Sequence, residues 1–122
     1  MLSHKDRNTD LAQEGSNRES VSYCRIVVKA GTTLLTHGSD RVNLQVMATL
    51  AEQLASLHSA EVETLLVSSG AVAAGRHALG VSRGSRNVPF KQVLAAVGQG
   101  RLMHAYEQIF DRHQILVAQA LL

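Results

Sequence analysis

The sequence predicts an α/β fold, part of a three-layer αβα sandwich with a mainly parallel sheet. Three observations lead there. Ile26-Val27-Val28 and Leu65-Leu66-Val67 are short runs that are apolar throughout, as strands buried on both faces are. Segments with helical spacing separate them, and strand–helix–strand order implies right-handed crossovers between parallel neighbours. A chain of 122 residues has room for one compact domain.

Residues 1–24 hold only scattered apolar side chains and no sustained periodicity. Such a stretch buries too little surface to offset about 1–2 kcal/mol of backbone entropy per residue, so a disordered extension is expected. Order is expected from Arg25, with a first strand ended by Lys29-Ala30-Gly31. Residues 32–42, rich in Thr, Gly, Ser and Asp, read as a loop. Asn43 then has the character of an N-cap, and Met47, Leu50, Ala51, Leu54 and Leu57 form one apolar stripe at spacings of three and four.

A second strand is expected over 64–68, closed by Ser68-Ser69-Gly70. A short helix opens at Ala71 and ends near Gly80. After a polar loop over 81–87, Pro89 suits the first position of a longer helix running to about His113. Phe90, Val93, Leu94 and Val97, then Tyr106, Ile109 and Phe110, are its expected inward residues. Gly98 and Gly100 each cost about 1 kcal/mol relative to alanine there, which implies close backbone packing or a break. Residues 115–122 read as a third strand. That strand lacks a polar stop and a neighbour, so the chain is expected to be the N-terminal part of a larger α/β protein, truncated at its C-terminal end.

Composition excludes several functions. Twelve Lys and Arg against ten Asp and Glu leave a formal charge of +2, which is no footprint for nucleic acid. With no Trp, two Tyr and two Phe, stacking platforms for single strands are missing too. The single cysteine, Cys24, excludes an internal disulfide and fits a reducing compartment. No apolar run is long enough for a membrane span and no secretory leader is visible, so a cytoplasmic protein without membrane contact is expected.

Ligands of open parallel sheets bind beyond the carboxyl ends of the strands. Lys29-Ala30-Gly31-Thr32-Thr33 lies at one such end, offering a mobile positive charge beside backbone N–H groups. That combination suits a phosphoryl group whose charge shifts during transfer. Ser68-Ser69-Gly70-Ala71 lies at the other end, where a hydroxyl and free N–H groups at a helix start attract an anion. Taken singly, the lysine could be a solvated strand end and the serines a simple cap. Together they mark Lys29, Gly31, Thr32, Ser69 and Gly70 as candidates. No P-loop, H-E-x-x-H or G-x-S-x-G motif occurs, and the six histidines show no paired ligand spacing, so no protein metal ligand is expected.

Three blocks carry a resemblance: Val27-Val28-Lys29-Ala30-Gly31-Thr32-Thr33, the run from Val67 to Gly75, and the run from Lys91 to Gln99. Residues 25–122 resemble the N-terminal portion of the glutamate 5-kinase family in the amino-acid kinase superfamily. The resemblance implies ATP-dependent phosphorylation of the side-chain carboxylate of L-glutamate to glutamyl 5-phosphate, the first step of proline biosynthesis. It implies ATP with Mg²⁺ as the nucleotide and a homo-oligomer for the full-length protein. It also assigns Lys29 to the transferring phosphates as the catalytic residue, Gly31 and Thr32 to phosphate binding, and Ser69 with Gly70 to the glutamate.

Two departures stand out. Ala30 replaces a larger aliphatic, and the chain ends before the acidic and amide residues that complete the family's glutamate site. The chain alone is therefore expected to be inactive. Two other readings stay open at this point: a non-catalytic module binding an anion or amino acid, and an amino-acid kinase with a different acceptor.

Overall fold

The computed structural model describes residues 22–81 and 88–120. Most of the expected extension over 1–24, most of the 81–87 loop, and Leu121 and Leu122 lie outside these residues. The chain is α/β. Strand β1 (Arg25–Ala30) leads through helices α1 (Thr32–Thr36) and α2 (Leu44–Ser59) to strand β2 (Glu63–Ser68). Helices α3 (Ala71–Leu79) and α4 (Val88–Asp111) follow. The two strands pair in parallel, in register from Arg25 with Glu63 to Ala30 with Ser68.

The first helix corrects the expectation of a loop over residues 32–42. Two threonines and a flanking glycine give a poor helix signal, yet Leu35 and Thr36 are buried, and that burial holds one short turn in place. Asn43 caps α2 as expected: its Oδ1 accepts from the N–H groups of Gln45 and Val46 at 2.9 and 3.2 Å. Met47, Ala51 and Leu54 are buried along the expected stripe, with Leu50 and Leu57 packed at its margin.

The core lies on one face of the sheet. Val28 and Leu66 pack against Met47, Ala51 and Leu54 of α2 and against Leu102, Tyr106 and Phe110 of α4. The opposite face carries Val27, Leu65 and Val67 at 64, 56 and 48% exposure, flanked by an exposed ion pair between Arg25 and Glu63. Burial on both faces is thus not found among the described residues. An apolar run marks a strand that suits a two-sided core but does not supply the second layer.

Helix α4 is unbroken through Gly98 and Gly100. Its buried seam is Leu94, Gly98, Leu102 and Tyr106, one residue in four, continued by Ile109 and Phe110. Leu94, Tyr106, Ile109 and Phe110 match the expectation, and Phe90 is half-buried. Val93 and Val97 do not match it: at 52 and 38% exposure they flank the seam. A glycine sits where a large residue was expected because α3 crosses there. An added Cβ on Gly98 would lie 2.8 Å from the carbonyl carbon of Ala71, and one on Gly75 would lie 2.7 Å from that of Leu94.

Beyond α4 the chain turns at Gln114, which has φ of 58°, and residues 115–120 form no strand, contrary to expectation. Ile115 and Val117 pack against the core while Leu116 is 97% exposed, so the period of two is present. No ladder partner lies beside it among the described residues. Alternation without a hydrogen-bonded neighbour is extended chain only. No helix among the described residues is long and apolar enough to cross a membrane.

Candidate functional site

Parallel pairing brings the carboxyl ends of β1 and β2 side by side. The bridging contact is a hydrogen bond from the Ser69 N–H to the Ala30 carbonyl, 2.8 Å long, one residue beyond the last ladder pair. It juxtaposes the two loops singled out in the sequence. Lys29 stands exposed, paired with Val67 in the register and on the sheet face opposite the core. Gly31 precedes α1 as its N-cap, and its carbonyl accepts from the N–H of Leu35 at 3.1 Å. Thr32, exposed, is the first residue of α1.

Gly70 is buried, with φ of 106°, and caps α3. That left-handed conformation is strained for any residue with a Cβ, and Cδ1 of Leu35 would lie 3.4 Å from one. The Gly70 carbonyl accepts from the N–H of Ala74 at 2.9 Å. Its own N–H finds no acceptor among the described residues. Between α1 and the start of α3 an open cleft of about 280 Å³ is walled by Thr32, Thr33, Thr36, Val72, Ala73 and Arg76, with Gly38, Ser39 and Asp40 at its rim. Of the candidate residues Thr32 belongs to its wall, whereas Lys29, Gly31, Ser69 and Gly70 do not line it.

Sequence reasoning missed two features. Arg76 places a half-buried guanidinium in the cleft without a hydrogen bond or ion pair among the described residues. Its distance from the motif hid it, although an i+4 step along α3 from Val72 would have found it. The second is a hydrogen-bond chain beneath Ser69. The hydroxyls of Ser68 and Tyr106 lie 2.7 Å apart, and Ser68 Oγ donates to the Ser69 carbonyl at 3.1 Å. A buried tyrosine hydroxyl needs a partner, but no sequence pattern names one 38 residues away.

Burial raises the Tyr106 pKa above its ordinary 10, and the bond to Ser68 opposes this as the smaller effect. Above pH 10 the unfolded tyrosine loses its proton first, so unfolding is favoured as pH rises. Tyr106 thus contributes stability that is intact below pH 10 and lost as pH climbs through its raised folded value. Urea melts from pH 9 to 11.5 should show a steeper alkaline decline for the wild type than for Tyr106→Phe. Parallel curves would refute the assignment.

Among the described residues no group of three or more His, Cys, Asp or Glu side chains is placed to hold a metal ion. The chemistry available is that of a cation, hydroxyls and backbone N–H groups, which suits binding and charge stabilisation of anionic oxygens.

Residues 25–122 match the model of the amino acid kinase family. The chain is 50% identical over 100 residues to a glutamate 5-kinase of Dehalococcoides mccartyi, covering 82% of this chain and 27% of that protein. It is 53% identical to a glutamate 5-kinase of Herpetosiphon aurantiacus, again over 82% of the chain and 27% of the relative. One from Symbiobacterium thermophilum is 43% identical over 86% of the chain and 40% of its own length. The chain thus spans between about a quarter and two fifths of these relatives. With a match that runs from the first residue of β1 to the last of the sequence, the chain belongs to the amino acid kinase family.

Proposed function

We propose that residues 25–122 are the N-terminal portion of a kinase domain that phosphorylates the side-chain carboxylate of L-glutamate with ATP. The product is glutamyl 5-phosphate, an acyl phosphate, and the step opens proline biosynthesis. The observation that carries the reading is the Ser69–Ala30 hydrogen bond, which sets a lysine-bearing loop beside a serine–glycine loop at the strand ends. In the reaction a carboxylate oxygen of glutamate attacks the γ-phosphorus, and the bond from that phosphorus to the oxygen bridging it to ADP breaks. Lys29 offsets charge on the moving phosphoryl oxygens, with the Gly31 and Thr32 backbone close to the phosphates. Ser69 and Gly70 hold the acceptor carboxylate through a hydroxyl and an N–H.

Mg²⁺ enters with the nucleotide as part of the substrate. The reading places the protein in the cytoplasm as a homo-oligomer, independent of membranes and nucleic acids. Residues that follow in the longer relatives supply the nucleotide half and complete the glutamate site, so residues 1–122 alone are inactive.

Hydroxylamine intercepts acyl phosphates, which provides the test. The full-length product of the gene is expected to form γ-glutamyl hydroxamate only with ATP, Mg²⁺ and glutamate together, while the 122-residue chain forms none. Faster hydroxamate formation from aspartate or acetylglutamate would overturn the choice of acceptor. A native product whose intact mass is 13.1 kDa would overturn the kinase reading itself.

A further inference from the structure

The hydrogen-bond chain beneath the Ser69–Gly70 loop has a direction. Ser68 Oγ has one proton and two oxygen neighbours, the Ser69 carbonyl at 3.1 Å and the Tyr106 hydroxyl at 2.7 Å. Both contacts are hydrogen bonds at once only when neutral Tyr106 donates to Ser68 and Ser68 donates to the Ser69 carbonyl; when Tyr106 ionises, the Ser68 proton turns to it instead. Tyr106 is 3% exposed on the buried seam of α4 and its ring packs in the core, so the donor is anchored.

The consequence falls on the next peptide bond. All described peptide bonds are trans, so the Ser69 C=O and the Gly70 N–H point in opposite directions across one rigid plane. Fixing the carbonyl toward Ser68 and Tyr106 turns the N–H away from them. The Ser69 N–H is tied to Ala30, and the Gly70 carbonyl is tied to Ala74. The Ser69 N–H, the Ser69 carbonyl and the Gly70 carbonyl thus have partners, and the Gly70 N–H, like the N–H groups that open α3, is left to meet a ligand oxygen.

We propose that Tyr106 and Ser68 are positioning residues that act through the Ser69 carbonyl to aim the Gly70 N–H at the acceptor carboxylate. Neither touches the substrate. The inference rests on the proposed function, because it takes the carboxylate bound at Ser69 and Gly70 to be that of the phosphoryl acceptor.

Steady-state kinetics of the full-length enzyme test it with Tyr106→Phe, Ser68→Ala, the double variant and Ser68→Thr. Tyr106→Phe and Ser68→Ala are each expected to raise the KM for glutamate about threefold to tenfold, the scale of one lost hydrogen bond. The KM for ATP stays within about twofold, because the chain orders one loop only. The double variant falls no further than the worse single one, since both residues serve one chain of bonds. Ser68→Thr keeps the hydroxyl and restores the wild-type KM. Thermal melts run beside the kinetics, and Ser68→Ala with Ser68→Thr decides the matter if Tyr106→Phe does not fold.

Unchanged glutamate KM in folded variants, equal rises in both KM values, or additive losses would each overturn the positioning role. The wild-type control separates this from failure of the underlying reading. If the wild type prefers another carboxylate acceptor, the same variants are read on that acceptor's KM. If it phosphorylates none, the positioning role falls together with the kinase reading.

Discussion

Replacing Gly98 by alanine is expected to cost about 3 kcal/mol of stability, a large loss for the addition of one methyl group. The reason is what the methyl meets. Its nearest neighbours are the Ala71 carbonyl and the Gly75 amide, which are backbone atoms inside α3 and cannot rotate aside. Relief requires α3 and α4 to separate, and that opens the contacts along Leu94 and Leu102 as well. Gly75→Ala drives a methyl into the Leu94 backbone from the other side and should cost as much. Because both methyls force apart the same helix pair, the double variant should lose less than the sum. Gly100, two residues from Gly98, has nothing within 4 Å of an added Cβ, so Gly100→Ala should gain up to about 1 kcal/mol of helix propensity. Urea unfolding of the three single variants gives the comparison. A Gly98→Ala variant as stable as Gly100→Ala would mean that the helices do not cross here at backbone contact.

This crossing also marks where the sequence stops being legible. Both strands and α2 could be read because each is recorded locally: a β-branched run, a capping asparagine, a stripe at three and four. The seam of α4 could not, because its deciding residue has no side chain. Hydrophobic spacing points to Val93 and Val97, whereas the partner helix selects the face that carries Gly98. Helix α1 was hidden for a related reason, since burial of Leu35 outweighs the weak propensity of its threonines. Residues 115–122 were read as a third strand; the structure shows alternating burial over 115–117, but a strand also needs a neighbour, which no local pattern supplies. For the candidate site, the juxtaposition of the two loops was legible because parallel pairing sets consecutive strand ends side by side. The Tyr106 hydroxyl and Arg76 were not, since each reaches the loops only through the packing of a helix.

Lys29→Ala is expected to reduce kcat of the full-length enzyme by about a hundredfold to a thousandfold, or about 3–4 kcal/mol of transition-state stabilisation. The structure makes this a clean measurement. Lys29 is exposed and forms no hydrogen bond or ion pair among the described residues, so truncating it should alter stability by less than about 0.5 kcal/mol. The backbone of β1 is held by its pairing with β2, not by this side chain. What is removed is a positive charge at the strand end, where under the proposed function the phosphoryl oxygens gather charge as the γ-phosphorus moves from ADP to the carboxylate. An interaction that strengthens only in that passage appears in kcat, while glutamate, which the proposed function assigns to Ser69 and Gly70, should keep its KM within about threefold. Lys29→Arg restores the charge but not its position, since a planar guanidinium cannot follow the moving oxygens as a flexible ammonium does. It should therefore recover about tenfold of the loss at most. If Lys29→Ala instead raised the KM for ATP and left kcat within about fivefold, the lysine would bind the nucleotide's ground state. The charge that stabilises transfer would then belong to the nucleotide half of the domain.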